Sequence, residues 1–201
     1  MRILVLANGP SAYRSIHQAI KLQPDRIFGV NKSLRIWSDC TDYVVTDPNN
    51  CAMFMPEAKA AQKRGCNLWL TPRVQEVYGV EGAIPFEYDE ANKDRYSRQQ
   101  IAHGRSVGIV ALQLALRLNP TELIMCGFDG YPPQWQTKHE LATGGRHPEI
   151  EAYGRFEWWA DHNATAQHVI NQVLGDRSDV QFRWFTAQIL QPPALANVTV
   201  L

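Results

Sequence analysis

The sequence has little that would direct the protein to nucleic acid or to a membrane. Its formal net charge at pH 7 is zero, because 20 Lys and Arg residues balance 20 Asp and Glu residues. A neutral chain offers no electrostatic argument for binding nucleic acid or an anionic membrane surface. No apolar run approaches the roughly 20 residues that span a bilayer, and the apolar start of the chain is too short for a signal peptide. We therefore expect a cytoplasmic protein without a membrane span.

The chain also lacks the spacings that are typical of metal sites. Its cysteines include no C-x-x-C pair, and the cysteines and histidines show neither the spacing of a structural zinc site nor that of an H-E-x-x-H helix. We expect free thiols in a reducing compartment and no bound metal. The cysteines are Cys40, Cys51, Cys66 and Cys126, and the last of these lies in an apolar run and is expected to be buried.

What the sequence does contain is a regular alternation of apolar strands and helices. Short apolar runs that end at turn residues are typical of buried parallel strands. The predicted strands are 2–6, 26–30, 42–46, 66–70, 123–126 and 180–185, and the predicted helices are 11–22, 53–64, 106–118 and 163–174. This alternation predicts an α/β fold with a doubly wound, mainly parallel sheet and helices on both faces, which is a Rossmann-like single domain over residues 1–201.

Three segments fall outside this alternation. Residues 72–100 are polar and aromatic, and we interpret them as a loop with short elements. Residues 132–161 are too long for a plain loop in a compact domain, and we interpret them as a lid inserted over the site. The Pro-rich tail from residue 191 is expected to pack loosely.

The turn after the first strand is the first candidate binding site. It reads Asn8, Gly9, Pro10, Ser11 and leads directly into a predicted helix. Backbone N–H groups at a helix N-terminus favour phosphate, and a glycine lets a ligand approach the backbone closely. The turn matches neither the G-x-G-x-x-G fingerprint nor a Walker loop. An ordinary strand-to-helix turn is the alternative interpretation.

Polar residues follow several other predicted strands. Asn31, Asp47, Asp129 and Tyr131 each come soon after a strand end. In open α/β sheets, ligands bind at the carboxyl ends of the strands, so these four residues predict a polar rim around a site. The alternative is that Asn and Asp are simply common in turns and helix caps.

A second candidate anion site precedes the helix 106–118. Gly104, Arg105 and Ser106 open that helix, and Arg105 could pair with a phosphate or a carboxylate. A helix cap with a solvated arginine is the alternative.

Among the histidines, His162 follows the predicted lid and is a candidate general base, because the pKa of histidine is near neutrality.

Five segments together carry a resemblance to a known family. They are 3–11, 28–31, 44–48, 105–107 and 124–131, with the sequences ILVLANGPS, FGVN, VVTDP, RSV and IMCGFDGY. Their order and rough spacing resemble those of the bacterial sialyltransferases of glycosyltransferase family 42 over most of the chain. In place of the Asn-Pro-Ser usual in that family, this chain has Asp-Pro-Asn at 47–49.

The resemblance implies a direct displacement that needs no metal. The Asn-Gly-Pro-Ser turn and Asn31 would hold a CMP-linked sugar donor, and Tyr131 would contact the departing phosphate. His162 would take the proton from the hydroxyl of a glycan or another acceptor. Relatives of this kind often assemble into homo-oligomers.

A second, related group shares part of this pattern. Asp47 with Pro48, and the later Gly-x-Ser-Val, also resemble the motility accessory factors and the 6-hydroxymethylpterin diphosphokinases. Under that interpretation, Asp47 and Asp129 would hold Mg²⁺ on a nucleoside triphosphate. A non-catalytic nucleotide-binding module is the third alternative.

Overall fold

The sheet of this protein is parallel throughout the part of the chain described here. The structure is a computed structural model, which describes residues 1–48, 52–88, 94–130, 155–185 and 189–201. The strands in these ranges are β1 Arg2–Leu6, β2 Arg26–Val30, β3 Asp42–Val45, β4 Asn67–Leu70, β5 Ile84–Pro85, β6 Glu122–Cys126, β7 Gln181–Trp184 and β8 Val198–Val200. They form one sheet in the order β5-β4-β3-β2-β1-β6-β7-β8. The predicted Rossmann-like α/β fold is confirmed.

The helices pack on both faces of this sheet. They are α1 Pro10–Lys21, α2 Ser33–Ile36, α3 Met55–Lys63, α4 Pro72–Tyr78, α5 Val107–Leu116 and α6 Arg155–Asp176. One core cluster lies between the sheet and α5 and α6, and the other lies between the sheet and α1, α3 and α4. Alternate residues of β1 enter the two clusters, with Ile3 and Val5 in one and Leu4 and Leu6 in the other. Both faces of β1 are therefore buried, which explains its unbroken apolar sequence.

The strand order places a topological switch point between β1 and β6. From β1 the chain builds the sheet outward through β2, β3, β4 and β5, and it then returns to the other side of β1 with β6. Leu6 at the end of β1 pairs with Cys126 at the end of β6. After β1 the chain continues to α1 on one face of the sheet, and after β6 it continues to α6 on the other face. In open α/β sheets, ligands bind at such a switch point.

Helix α5 is almost entirely buried, and this accounts for its apolar sequence. Every residue from 108 to 116 is buried, including Gln113 at 3% exposure. The Gln113 side chain accepts a hydrogen bond from the Ala102 N–H at 2.8 Å and donates one to the Ala102 carbonyl at 2.7 Å. This amide clamp fixes the segment that leads into the N-terminus of α5.

Asp42 holds together the amino ends of β2, β3 and β4. Its carboxylate is fully buried and accepts hydrogen bonds from the side chains of Arg26, Thr41, Asn67 and Trp69. A buried charge of this kind is tolerated because it is paired and hydrogen-bonded. Asp42 lies at the opposite end of β3 from the predicted rim, so its role is in the framework of the sheet.

The predicted loop 72–100 contains helix α4. This helix begins at Pro72 after Thr71, whose hydroxyl accepts from the Val74 N–H at 3.4 Å, and Gly79 with φ 55° is its C-cap.

The expectation of a loosely packed C-terminal tail was wrong. β8 extends the sheet beside β7, and the Phe182 N–H donates to the Asn197 carbonyl at 2.7 Å. An exposed sheet edge favours such pairing because it offers unsatisfied backbone groups.

Helix α6 begins earlier than the helical spacing predicted. It starts at Arg155 instead of Asn163, so the last residues of the predicted lid 132–161 belong to a helix. His162 therefore lies within α6. Residues 131–154 are outside the described ranges, and the lid stays a prediction.

Two further expectations, on membrane spans and on free thiols, can be compared with the described residues. In these ranges, no helix combines the length and the apolar character needed to cross a membrane. Cys40, Cys66 and Cys126 are buried free thiols, and Cys51 lies outside the described ranges. Burial raises the pKa of Cys126 to about 11, so this thiol is an inert part of the core.

Candidate functional site

The turn after β1 lies at the switch point. The backbone pairing of β1 and β6 continues past both strands, since the Ala7 N–H donates to the Cys126 carbonyl at 2.8 Å and the Gly9 N–H donates to the Gly127 carbonyl at 2.9 Å. Gly9 is the N-cap of α1 and Pro10 opens the helix, where proline is favoured because its φ is already helical. A β-carbon on Gly9 would lie 2.6 Å from the Cγ atom of Asp129. The protein's own packing thus requires glycine here.

Asp129 caps helix α1 from another part of the chain. Its Oδ2 accepts from the Ser11 N–H at 2.7 Å, and the residue is 1% exposed. Gly9 has no side chain for capping, so this carboxylate supplies the missing acceptor at the positive end of the helix. The Ser11 amide, which we expected to face a phosphate, is therefore bound to the protein.

The environment of Asp129 favours its neutral form. Burial raises the pKa of the Asp129 carboxyl above its ordinary value, while the backbone hydrogen bond from Ser11 and the charge of Arg14 offset part of the rise. Asp129, which the sequence predicted on a polar rim, is thus a buried group beneath the turn.

Three side-chain oxygens around this turn are buried without a hydrogen-bond partner among the described residues. They are Asn8 Oδ1, Ser11 Oγ and Asp129 Oδ1. An unsatisfied buried polar atom costs about 1–3 kcal/mol, so such atoms call for a bound partner. Asn8 Oδ1 can only accept, so a hydroxyl or amino group of a ligand fits it, whereas the Ser11 hydroxyl and a protonated Asp129 can also donate.

The N-terminus of α5 lies beside the same switch point. A β-carbon on Gly108, in its first turn, would lie 3.2 Å from the Ala7 β-carbon after β1 and 3.6 Å from the ring of Phe128 after β6. Ser106 is the N-cap and makes no side-chain capping bond, and Gly104 and Arg105 before it have φ of 56° and 53°. The structure therefore brings both predicted anion sites to the switch point.

Arg105 links this helix start to α6. Its Nη1 lies 2.6 Å from Asp161 Oδ2 and 3.3 Å from His162 Nδ1. The side chain of Arg105 is 25% exposed and that of Asp161 is 56% exposed, whereas His162 is 8% exposed. The Nε of Arg105 is buried and has no partner in the described part of the chain. An unpaired guanidinium N–H beside a helix N-terminus is suited to an anion.

Helix α6 reaches the site by packing on the loop after β6. A β-carbon on Gly130 would lie 3.0 Å from Asn163 Oδ1, next to His162 in the helix. The Ile189 N–H donates to the Asp129 carbonyl at 3.2 Å. His162, Arg105 and the Asp129 loop therefore surround one end of the sheet, although they are far apart in sequence.

Asn31 and Asp47 lie further along the same edge. Asn31 follows β2 with φ 47°, and its carbonyl accepts a hydrogen bond from the Tyr43 hydroxyl. Asp47 follows β3, which is separated from β1 by β2. Tyr131 lies outside the described ranges, so its predicted contact with a phosphate stays a prediction.

The strand order bears on the suggestion of a shared Mg²⁺. β3 and β6 are three strand spacings apart, which is about 14 Å, whereas Mg²⁺ binds oxygen at about 2.1 Å. A single ion on Asp47 and Asp129 would require their loops to converge. In the described ranges, no three His, Cys, Asp or Glu side chains are placed to hold a metal.

Sequence reasoning missed four residues in or around the segment that leads to Arg105. Asp161 could have been suspected as the acidic neighbour of His162, but nothing local indicated its contact with Arg105. Gln113 was visible as a lone polar residue in an apolar helix. The ring of Tyr88 stacks on that of His103 with centroids 4.8 Å apart, and no local pattern indicated this pair.

Comparisons with known proteins give information on the fold alone. No protein-family model matches the chain, and a search of curated proteins found no match. Among solved structures, the chain is similar to one described as MAf glycosyltransferase from Magnetospirillum magneticum AMB-1, with a TM-score of 0.56 and 14% sequence identity. The match covers 100% of this chain and 33% of that one, so this chain spans about a third of that protein's length.

Proposed function

We propose that this chain is a glycosyltransferase that moves a sugar from a nucleotide donor to a hydroxyl acceptor. The observation that carries the proposal is the contact of Arg105 with His162, at 3.3 Å, beside the switch point. It places a cation with an unpaired N–H next to an imidazole, the side chain that most often serves as a general base. A phosphate leaving group and an attacking hydroxyl need these two functions side by side.

The proposed reaction is a direct displacement at the anomeric carbon. His162 takes the proton of the acceptor hydroxyl while its oxygen attacks the sugar. Arg105 and the N-terminus of α5 stabilise the charge that develops on the departing phosphate, with Tyr131 as a further donor. The structural similarity to a glycosyltransferase supports sugar transfer over diphosphate transfer.

We further propose that the donor is CMP-linked and the enzyme sialyltransferase-like. The resemblance of the segments at 3–11 and 124–131 supports this. The buried oxygen Asn8 Oδ1 also supports it, since it can accept from a ribose hydroxyl or from the amino group of cytosine. The remaining partner would be a glycan or another hydroxyl compound, in a cytoplasmic and homo-oligomeric enzyme.

Thermal stabilisation by a nucleotide panel tests the donor. CMP, CDP, UDP, ADP and ATP would each be added with and without Mg²⁺, because a ligand at 100 times its Kd stabilises the folded state by about 2.7 kcal/mol. We expect CMP to raise Tm without Mg²⁺. A rise only with ATP and Mg²⁺ would contradict the proposal and favour diphosphate transfer.

Replacing His162 with Ala tests the base. We expect turnover with a CMP-sugar to fall about 10²- to 10⁴-fold while the Tm shift with CMP is kept. His168→Ala is the matched control, because His168 lies on the same helix and is exposed. Unchanged turnover in the His162 variant would exclude it as the base, and binding without turnover in the wild type would favour a binding module.

A further inference from the structure

The contact between Arg105 and His162 fixes where the imidazole carries its proton. Arginine has only N–H donors and no acceptor. The Nη1 of Arg105, 3.3 Å from His162 Nδ1, can therefore only donate to a lone pair on Nδ1. A neutral imidazole has one N–H and one lone pair, so a neutral His162 that accepts this hydrogen bond carries its proton on Nε2.

This tautomer cannot act as a base while Arg105 stays in place. Nε2 carries the proton, and the lone pair of Nδ1 is taken by the guanidinium. Asp161 holds the guanidinium in this position through its ion pair at 2.6 Å. In this tautomer and with this contact, neither nitrogen of His162 is ready to receive the proton of an acceptor hydroxyl.

We propose that Arg105 is a positioning residue that blocks His162 Nδ1 until an anion binds, so that the donor must bind before the acceptor can react. This inference rests on the proposed transfer reaction. Two features of Arg105 support it: its Nε is buried with no partner among the described residues, and it immediately precedes the N-cap of α5. A phosphate in that position would draw the guanidinium away from Nδ1.

The proton balance of the reaction then closes. The O–H bond of the acceptor breaks and its proton passes to the released Nδ1, which leaves an imidazolium with protons on both nitrogens. The acceptor oxygen forms a bond to the anomeric carbon. The bond from that carbon to the phosphate oxygen breaks, and the departing nucleotide keeps the electron pair.

The tautomer of His162 can be measured in the full chain without any substrate. In a protein labelled with ¹⁵N-histidine, two-bond ¹H–¹⁵N spectra distinguish a protonated nitrogen from an acceptor nitrogen, and His162→Gln assigns the signals. We expect Nε2 to be protonated in the free protein. A proton on Nδ1 in the free protein would overturn the inference.

Addition of CMP, and separately of inorganic phosphate, tests the release. We expect the Nδ1 signal of His162 to shift as its hydrogen bond from Arg105 is lost. Arg105→Asn should remove both the initial hydrogen bond and the response, and asparagine is chosen because it tolerates the positive φ of this position. Signals that CMP and phosphate leave unmoved, or that persist in Arg105→Asn, would overturn the inference.

Asp161 provides a second variant that leaves Arg105 intact. Its carboxylate competes with the anion for the guanidinium, so Asp161→Asn should bind CMP more tightly, by up to about fivefold for a partly exposed ion pair. Asp176→Asn is the charge-matched control, since Asp176 pairs with the exposed Arg98 at 2.7 Å at the other end of α6. Weaker or unchanged CMP binding in Asp161→Asn would contradict the proposal that Asp161 and the anion compete for Arg105.

These measurements separate the inference from the proposed function. Sugar transfer by a chain whose His162 carries its proton on Nδ1 would leave the function standing and overturn the inference. A tautomer that responds to CMP in a chain that transfers no sugar would support the inference and overturn the function.

Discussion

At the scale of single residues, the site depends on close approaches that leave no room for a side chain. Gly9, Gly127 and Asp129 lie against one another in the two loops that follow β1 and β6. A β-carbon on Gly127 would lie 2.9 Å from the β-carbon of Ala12, and Gly127 has φ 80°. These glycines are needed for the fold of the two loops before any ligand is considered.

Replacing Gly9 with Ala should destabilise the protein by about 1–3 kcal/mol, because the new methyl group overlaps the Asp129 carboxyl. Urea unfolding measures the loss. Gly175→Ala is the control, since Gly175 lies in α6 with nothing within 4 Å of its would-be β-carbon, and it should be neutral or stabilising by up to about 1 kcal/mol. Equal stability of the Gly9 variant and the wild type would contradict the described turn.

The raised pKa of Asp129 predicts how stability depends on pH. Because the folded protein holds this proton more tightly than the unfolded chain, the carboxyl lowers stability as pH rises above about 4 and through the folded pKa. Asp129→Asn cannot ionise, so its stability relative to the wild type should improve over that window. Urea unfolding of both proteins at pH values about one unit apart, from about 3.5 to about 7, checks this. A constant difference across the series would show that Asp129 titrates normally.

At the scale of elements, two helices are placed by contacts that cross the chain. The N-terminus of α1 is capped by Asp129 from the loop after β6. The segment before α5 is held by Gln113 from within that helix. Neither helix start uses a capping side chain of its own, so their positions depend on tertiary contacts.

Gln113→Leu should lose about 2 kcal/mol or more, because the buried N–H and carbonyl of Ala102 lose their side-chain partner. Hydrogen exchange at the Ala102 amide should accelerate, and the Tm shift with CMP should shrink as the Arg105 segment loosens. Gln18→Leu, at an exposed position of α1, is the control and should change stability by less than about 0.5 kcal/mol. An unchanged Ala102 exchange rate would contradict the clamp.

At the scale of the whole molecule, the candidate site lies beside central strands of the sheet that are buried on both faces. β1 and β6 are central and buried on both faces, whereas β8 is an edge strand with Val200 half exposed. A rigid framework under a site holds its groups in position. The candidate site therefore lies beside strands that we expect to open least often.

Hydrogen exchange followed by mass spectrometry should show this gradient. Amides of β1 and β6 should exchange only through global unfolding, while those of β8 should exchange faster through local opening. If β8 were protected as strongly as β1, a further element or a partner chain would have to cover that edge.

The sequence by itself determined the sheet, most of its strands and the carboxyl edge where the polar residues gather, because apolar periodicity and turn residues are local properties. The sequence did not predict the short strands β5 and β8, because a few residues at the edge of a sheet carry little periodic signal. It also indicated Gly9, Arg105, Asp129 and His162 individually.

Only the tertiary structure decided what those residues do to one another. Asp129, predicted as part of a polar rim, is the buried cap of α1, and Arg105 contacts both Asp161 and His162. These partners are separated by more than 50 residues in the sequence. Such pairings arise when β6 pairs with β1 and α6 packs against α5. A sequence argument misses them for a physical reason, because burial and hydrogen-bond geometry depend on the packed sheet and not on any local segment.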